Sequence, residues 1–176
     1  DPIYRRMSQE AYARDLDPFV ITRAIAQFER SLIAGHSDYD RFINGETFAL
    51  TAAAKRGLQL FKSERLGCGS CHSGFNFTNY ALERNGSDTS GTAEGRYRST
   101  GIPSDYGRFK VPSLRDIAQS APYFHDGRYA DLEAVIDHYD RGGDSGAPHH
   151  PNIRPLGLSP QEKQSLLQFL HALSQP

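Results

Sequence analysis

Two cysteines and a histidine stand together as Cys68-Gly69-Ser70-Cys71-His72, and the 176 residues contain only these 2 cysteines. Thiols at this spacing, followed directly by an imidazole, match the attachment signature of a c-type haem. Each thiol adds across a porphyrin vinyl group as a thioether, and the neighbouring histidine reaches the iron as proximal ligand. The competing chemistries are a disulfide, a redox-active dithiol and half of a zinc site. Zinc would need a second pair of thiolates, and a thioredoxin-like dithiol belongs in a βαβ setting. One covalent haem c is the expected cofactor, with Cys68 and Cys71 as tethers and His72 on the iron.

A six-coordinate electron-transfer haem needs a ligand on its other face, often a methionine. The sole methionine, Met7, lies near the amino terminus, before any expected helix. Among the histidines, His36 and His171 read as surface side chains, and His149 and His150 sit in a proline-containing loop. His138 lies about 100° around its helix from Tyr139, off the apolar stripe. Tyr139 faces inward, and from periodicity alone it is a core residue with a satisfied hydroxyl.

The elements that hold these groups are helical. Asp17-Pro18 opens a helix carrying Ile21, Ile25, Phe28 and Leu32 on one face and ending near Gly35. Leu50, Ala54, Leu58 and Phe61, with Thr51 as cap, mark a second helix that delivers the chain through Leu66-Gly67 to Cys68. Residues 85–108 have no period and read as a long ordered loop. A short helix is expected from Pro112 through Arg115, stopped by Ala121-Pro122. Asp131 caps a helix with Leu132, Val135, Ile136 and Tyr139 on its inner stripe, ended by Arg141-Gly142-Gly143. Ser159-Pro160-Gln161-Glu162 is a capping box before Leu166, Leu167, Leu170 and Leu173. The fold class is mainly α, a c-type cytochrome domain with long ordered loops around a covalent haem. Residues 1–16 read as an amino-terminal extension or inter-domain segment, and 17–176 as a single cytochrome domain.

Composition narrows the partners. Lys and Arg number 20 against 21 Asp and Glu, a net charge of −1, so no basic field gathers nucleic acid or an anionic membrane. No run approaches the roughly 18 apolar residues of a membrane span. Ten Phe and 9 Tyr, with no Trp, are available to line an apolar macrocycle. Covalent haem attachment implies export, with the periplasm as the expected location.

Four further segments carry a resemblance. Gly74-Phe75-Asn76-Phe77-Thr78, Phe109-Lys110-Val111-Pro112-Ser113-Leu114-Arg115-Asp116, Ala121-Pro122-Tyr123-Phe124-His125-Asp126-Gly127 and Tyr139-Asp140-Arg141-Gly142-Gly143 follow the haem motif in order. Together they resemble the carboxy-terminal haem domain of the bacterial di-haem cytochrome c peroxidase and MauG family. The resemblance implies a peroxidase-family oxidoreductase in which a preceding domain holds a second haem that meets hydrogen peroxide. This chain would pass electrons or oxidising equivalents between that haem and an external redox protein, either a donor or a protein substrate. Cytochrome c peroxidases of the family place a distal methionine where this sequence has Tyr139, whereas MauG uses tyrosine, which makes Tyr139 the expected distal ligand. The resemblance also places His125, the one catalytic assignment, near the haem edge, and implies a calcium ion between domains that uses main-chain carbonyls matching Ser120 to Pro122. Lys110 and Arg115 are candidates to neutralise haem propionates. The alternative is a stand-alone mono-haem electron carrier without peroxidase activity; a third reading, a peroxide-reactive single haem, would need Tyr139 displaced from the iron.

Overall fold

The computed structural model describes residues 1–175. The chain divides into two compact units, Asp1–Ala34 and a larger one beginning at Gly35.

The first unit holds α1 (Pro2–Tyr12) and α2 (Pro18–Ser31), and the two start alike. Asp1 accepts from the Ile3 amide at 2.8 Å and Asp17 from the Val20 amide at 2.8 Å, each with proline next in sequence. Met7 therefore lies inside a helix, contrary to the expectation that it precedes one, and its side chain is exposed. Ile21, Ile25, Phe28 and Leu32 are exposed as well.

The second unit contains α3 (Asp38–Ile43), α4 (Ala52–Lys62), α5 (Tyr97–Thr100), α6 (Leu132–Asp140) and α7 (Pro160–His171). Its core forms where α4 crosses α7. Gly57 makes the crossing close: a Cβ built there would fall on the Ser165 carbonyl and 2.8 Å from Phe169 Cβ. Phe169 and Leu173 are completely buried, and Leu166, Leu167 and Leu170 are buried beside them, as the stripe on this helix requires. Phe61, Phe77 and Tyr39 extend this core edge-on and tilted, with Phe61 5.1 Å from Phe169 and Tyr39 5.1 Å from Phe77 between ring centroids.

Two expectations are corrected here. Residues 112–114 form no helix, and a single 3-10 turn begins only at Ile117. Ser113 accounts for this: its hydroxyl donates to the Asn76 carbonyl at 2.7 Å and accepts the Arg115 amide at 3.1 Å, tying the chain to the loop after His72 instead of to a helix. The stretch 85–108 is ordered but not structureless, since it includes α5 and a 3-10 turn at Pro103–Asp105. It is closed at its base by β1 (Leu82–Glu83) and β2 (Phe109–Lys110), antiparallel with Leu82 opposite Lys110. Strands of two residues leave no alternation to read. Among the described residues no helix is long and apolar enough to cross a membrane.

Candidate haem site

Helix α4 ends at Lys62, and the chain turns through Gly67, whose φ of 68° lies in the left-handed region glycine favours. A 3-10 turn over Cys68–Ser70 follows, closed by the His72 amide donating to the Cys68 carbonyl at 2.9 Å. This turn brings both thiols and the imidazole together. Asn79 clamps it from the far end, its amide donating to the Cys71 carbonyl at 2.8 Å. Asn152 reaches in to the Ser70 hydroxyl at 2.8 Å.

The cysteines are not joined to each other. Burial pushes the Cys68 thiol up to about 11. A dithiol nucleophile needs the opposite shift, toward thiolate, so the microenvironment disfavours redox exchange. Nor do the described residues bring three or more His, Cys, Asp or Glu side chains together, as a bare-metal site would require. Two unpaired, partly buried thiols with a histidine next in sequence fit thioether attachment of a haem.

His72 is oriented for the same task. Burial lowers its pKa, against hydrogen bonds to the carbonyls of Phe77 and Pro112 that favour the protonated ring. In the neutral ring Nδ1–H donates to the Phe77 carbonyl at 2.9 Å, which leaves the Nε2 lone pair for iron. Phe77 is itself buried and has a left-handed φ of 49°, a conformation held by the Thr78 hydroxyl donating to the Val111 carbonyl at 2.6 Å just beyond it.

Tyr139, on α6, lies close enough to Cys68 and Cys71 that negative charge on either thiol would disfavour its phenolate. Burial is the larger influence and, with these charges, raises the phenol well above its ordinary pKa, while the Asn85 side chain opposes both. The free phenol is therefore protonated, and iron would have to displace that proton. The structure thus brings Cys68, Cys71 and His72 into one turn.

The remaining candidates lie elsewhere. Arg115 is almost completely buried, its Nη1 2.7 and 2.8 Å from the two Asp40 carboxylate oxygens and its Nε donating to the Phe75 carbonyl at 2.8 Å. It braces the loop behind His72. Lys110 is exposed, with its ammonium 5.2 Å from the Tyr80 ring centroid. His125 is exposed and stacks on Phe109 at 4.1 Å, beside a cavity of about 90 Å³ that Arg84, Asn85 and Asp88 also line. Ser120 to Pro122 form an exposed turn after the 3-10 segment.

Two residues escaped the sequence reading. His138, expected off the buried stripe, is completely buried. Its Nε2 lies 2.8 Å from the Asn85 carbonyl and its Nδ1 3.1 Å from the Tyr129 hydroxyl. A polar ring satisfied on both sides can occupy a position that a hydrophobic pattern assigns to solvent. Asn85 is the second, and its one signal was the Asn-Gly pair that marks a turn.

Comparison with known proteins bears on the arrangement. The family model described as di-haem cytochrome c peroxidase matches residues 1–48. The methylamine utilization protein MauG of Methylorubrum extorquens is 36% identical over 157 residues, covering 87% of this chain and 43% of that protein. The cytochrome-c peroxidase IdrP1 of Pseudomonas sp. (strain SCT) is 35% identical over 184 residues, covering 86% of this chain and 48% of that protein. A crystal structure of a MauG-like protein associated with microbial copper homeostasis superposes with a TM-score of 0.81 at 33% identity, over 99% of this chain and 59% of the other. The chain spans about half the length of the curated relatives it matches.

Proposed function

Because this chain belongs to the bacterial di-haem cytochrome c peroxidase and MauG family, we propose that it is the carboxy-terminal haem domain of such an oxidoreductase. It passes electrons or oxidising equivalents between a peroxide-reacting haem, held in another domain or chain, and an external redox protein. The observation that carries this reading is the Cys68–Ser70 turn that sets both thiols beside a histidine whose Nδ1 is held by the Phe77 carbonyl at 2.9 Å.

A haem bound here supplies a one-electron iron couple. Cys68 and Cys71 would tether it, and His72, oriented by the Phe77 carbonyl, would hold the iron through Nε2. Tyr139 would be the second ligand, as phenolate, giving up the proton that its buried setting otherwise keeps on it. A phenolate is a hard anionic donor, which favours ferric iron over ferrous and lowers the potential relative to a thioether. Were His72 and Tyr139 both to hold the iron, hydrogen peroxide would have to react at the other haem. His125, stacked on Phe109 beside the cavity that Asn85 also lines, would organise propionates or the path toward the second haem. Export to the periplasm, and a calcium ion held in part by the carbonyls of Ser120 to Pro122, complete the reading.

The test is the intact mass of the natively produced, denatured protein, with covalent haem counted as its pyridine complex. Two haems on a polypeptide about twice this length, in line with coverage of 43% and 48% of the relatives, support the proposal. A single haem on a polypeptide of this size would replace it with a stand-alone electron carrier. In the same preparation, Tyr139→Phe should abolish the ferric phenolate charge-transfer band; an unchanged ligand-field spectrum would remove Tyr139 from the iron.

A further inference from the structure

Phe77 is a bulky residue in the left-handed region, with a φ of 49°. An L side chain of this size persists there only where its surroundings impose it. Two demands meet on this residue. Its buried ring fills the core between Tyr39, Phe61 and Phe169, with centroids 5.1, 6.1 and 6.1 Å away and each contact edge-on. Its carbonyl accepts from His72 Nδ1 at 2.9 Å. The chain on either side is tied down. Before it, the Phe77 amide donates to the Gly74 carbonyl at 3.2 Å. After it, the Thr78 amide donates to the Ser73 carbonyl at 2.9 Å, and the Thr78 hydroxyl donates to the Val111 carbonyl at 2.6 Å while accepting the Tyr80 amide at 3.0 Å. Rotation to an ordinary negative φ would therefore move either the ring out of the core or the carbonyl away from His72.

We propose that Phe77 is a positioning residue for His72: its ring, anchored in the core and backed by the Thr78 clamp, forces the left-handed turn that aims the carbonyl at Nδ1, and so sets how strongly Nε2 donates to iron. The proposal rests on the reading of His72 as the iron ligand supplied by the Cys68–His72 motif. A hydrogen bond from the far ring nitrogen raises the basicity of a ligating imidazole and is one of the levers by which a protein sets the potential of a haem. Stronger donation favours ferric iron, so a weakened Nδ1 hydrogen bond raises the potential. Side-chain identity at position 77 then acts in two separable ways. Alanine loses the anchor and keeps the tendency to leave a positive φ, whereas glycine loses the anchor but adopts that φ without strain.

The experiment uses the full-length, haem-loaded protein and compares wild type with Phe77→Ala, Phe77→Gly and Thr78→Val. The readouts are the reduction potential of this haem and the solvent exchange of the His72 Nδ1 proton by NMR, with urea unfolding run beside them. Phe77→Ala should raise the potential and speed the exchange. Phe77→Gly deletes the same ring from the core, yet should shift both readouts by less, because glycine keeps the turn unaided. Thr78→Val leaves the ring in place and should move both readouts in the direction of Phe77→Ala. Packing alone predicts equal shifts in the alanine and glycine variants, in step with their loss of stability, and that result overturns the proposal; so does an unmoved potential in Phe77→Ala. Should Phe77→Ala fail to retain haem, Thr78→Val decides, and an unmoved potential there overturns the proposal. A wild-type protein without a His72 ring resonance shifted by the iron would instead bring down the ligand assignment, and this proposal with it; that result is read before any variant is made.

Discussion

Arg115 and Asp40 form a nearly solvent-free ion pair behind the loop that orients His72, with side chains 5% and 6% exposed. The pair connects two structures distant in sequence. Asp40 closes the capping box of α3 by accepting the Ser37 amide at 2.9 Å, and the Arg115 Nε holds the Phe75 carbonyl at 2.8 Å. Two residues beyond Phe75, the Phe77 carbonyl orients His72. The guanidinium also lies over Phe75 at 4.4 Å and Phe77 at 5.3 Å, so it packs as well as pairs.

Removing one partner should therefore cost more than the pair itself contributes. Arg115→Met leaves the Asp40 carboxylate buried without its cation, an effect of about 3–5 kcal/mol in comparable sites. Urea unfolding of the haem-loaded protein measures it. The double variant Arg115→Met/Asp40→Leu should recover much of the loss, because no charge is then stranded. A double variant as unstable as the single one would show that the pair acts by shape alone.

Acid should act through the same carboxylate. Burial pushes the Asp40 pKa upward, but hydrogen bonds from Ser37 and Arg115 and the Arg115 charge outweigh it, and the net value lies below the ordinary one. In the acid range the unfolded chain then binds more protons than the folded one, so stability falls as pH falls. The contribution is intact above the unfolded carboxylate value of about 3.9 and is lost as pH drops through the lower folded value. Asp40→Asn should be less stable at neutral pH and show a shallower decline below about pH 4. A parallel decline in both proteins would assign the acid sensitivity to other depressed carboxylates, such as Asp140 and Asp144.

At the α4–α7 crossing, Gly57→Ala should destabilise although alanine is the better helix former by about 0.8–1.0 kcal/mol. The added methyl would meet the Ser165 carbonyl, a backbone atom that cannot rotate away, and Phe169 Cβ behind it. Overpacking of this kind costs about 1–3 kcal/mol or more. Thermal unfolding of the variant would check this, and an increase in melting temperature would mean that the helices separate freely.

How far the sequence exposed these features depends on the scale of the signal. The haem pentapeptide, the α6 stripe and the Ser159–Glu162 capping box are local patterns, and each sits where expected. Ser37 to Asp40 is the same kind of box, and Asp1-Pro2 the same kind of start as Asp17-Pro18, so both were readable by rules already in hand. Arg115 is different. Its charge suggested a role toward haem propionates, and only the fold shows that its partner is Asp40, 75 residues away in sequence. His138 fails for a related reason: a period of apolar residues cannot register a buried polar ring whose partners, Asn85 and Tyr129, come from other segments.

That ring supplies the last prediction. His138 Nε2 faces a carbonyl, which can only accept, so in the neutral ring Nε2 carries the proton and Nδ1 accepts from the Tyr129 hydroxyl. Arg141 closes the group, its Nη2 donating to the Tyr129 oxygen at 2.6 Å and to Asp144 at 2.7 Å. His138→Phe keeps the ring volume but leaves the Asn85 carbonyl without its donor and the Tyr129 hydroxyl without its acceptor. Each unsatisfied buried group costs about 1–3 kcal/mol. The loss should appear in urea unfolding, together with faster amide exchange at the Gly143 and Asp144 amides, which donate to the His138 and Gly86 carbonyls at 3.0 and 2.8 Å. His138→Gln, which can still donate to the Asn85 carbonyl, should lose less. Equal losses for the two variants would mean that ring packing against Phe124, at 4.9 Å between centroids, matters more than the hydrogen bonds.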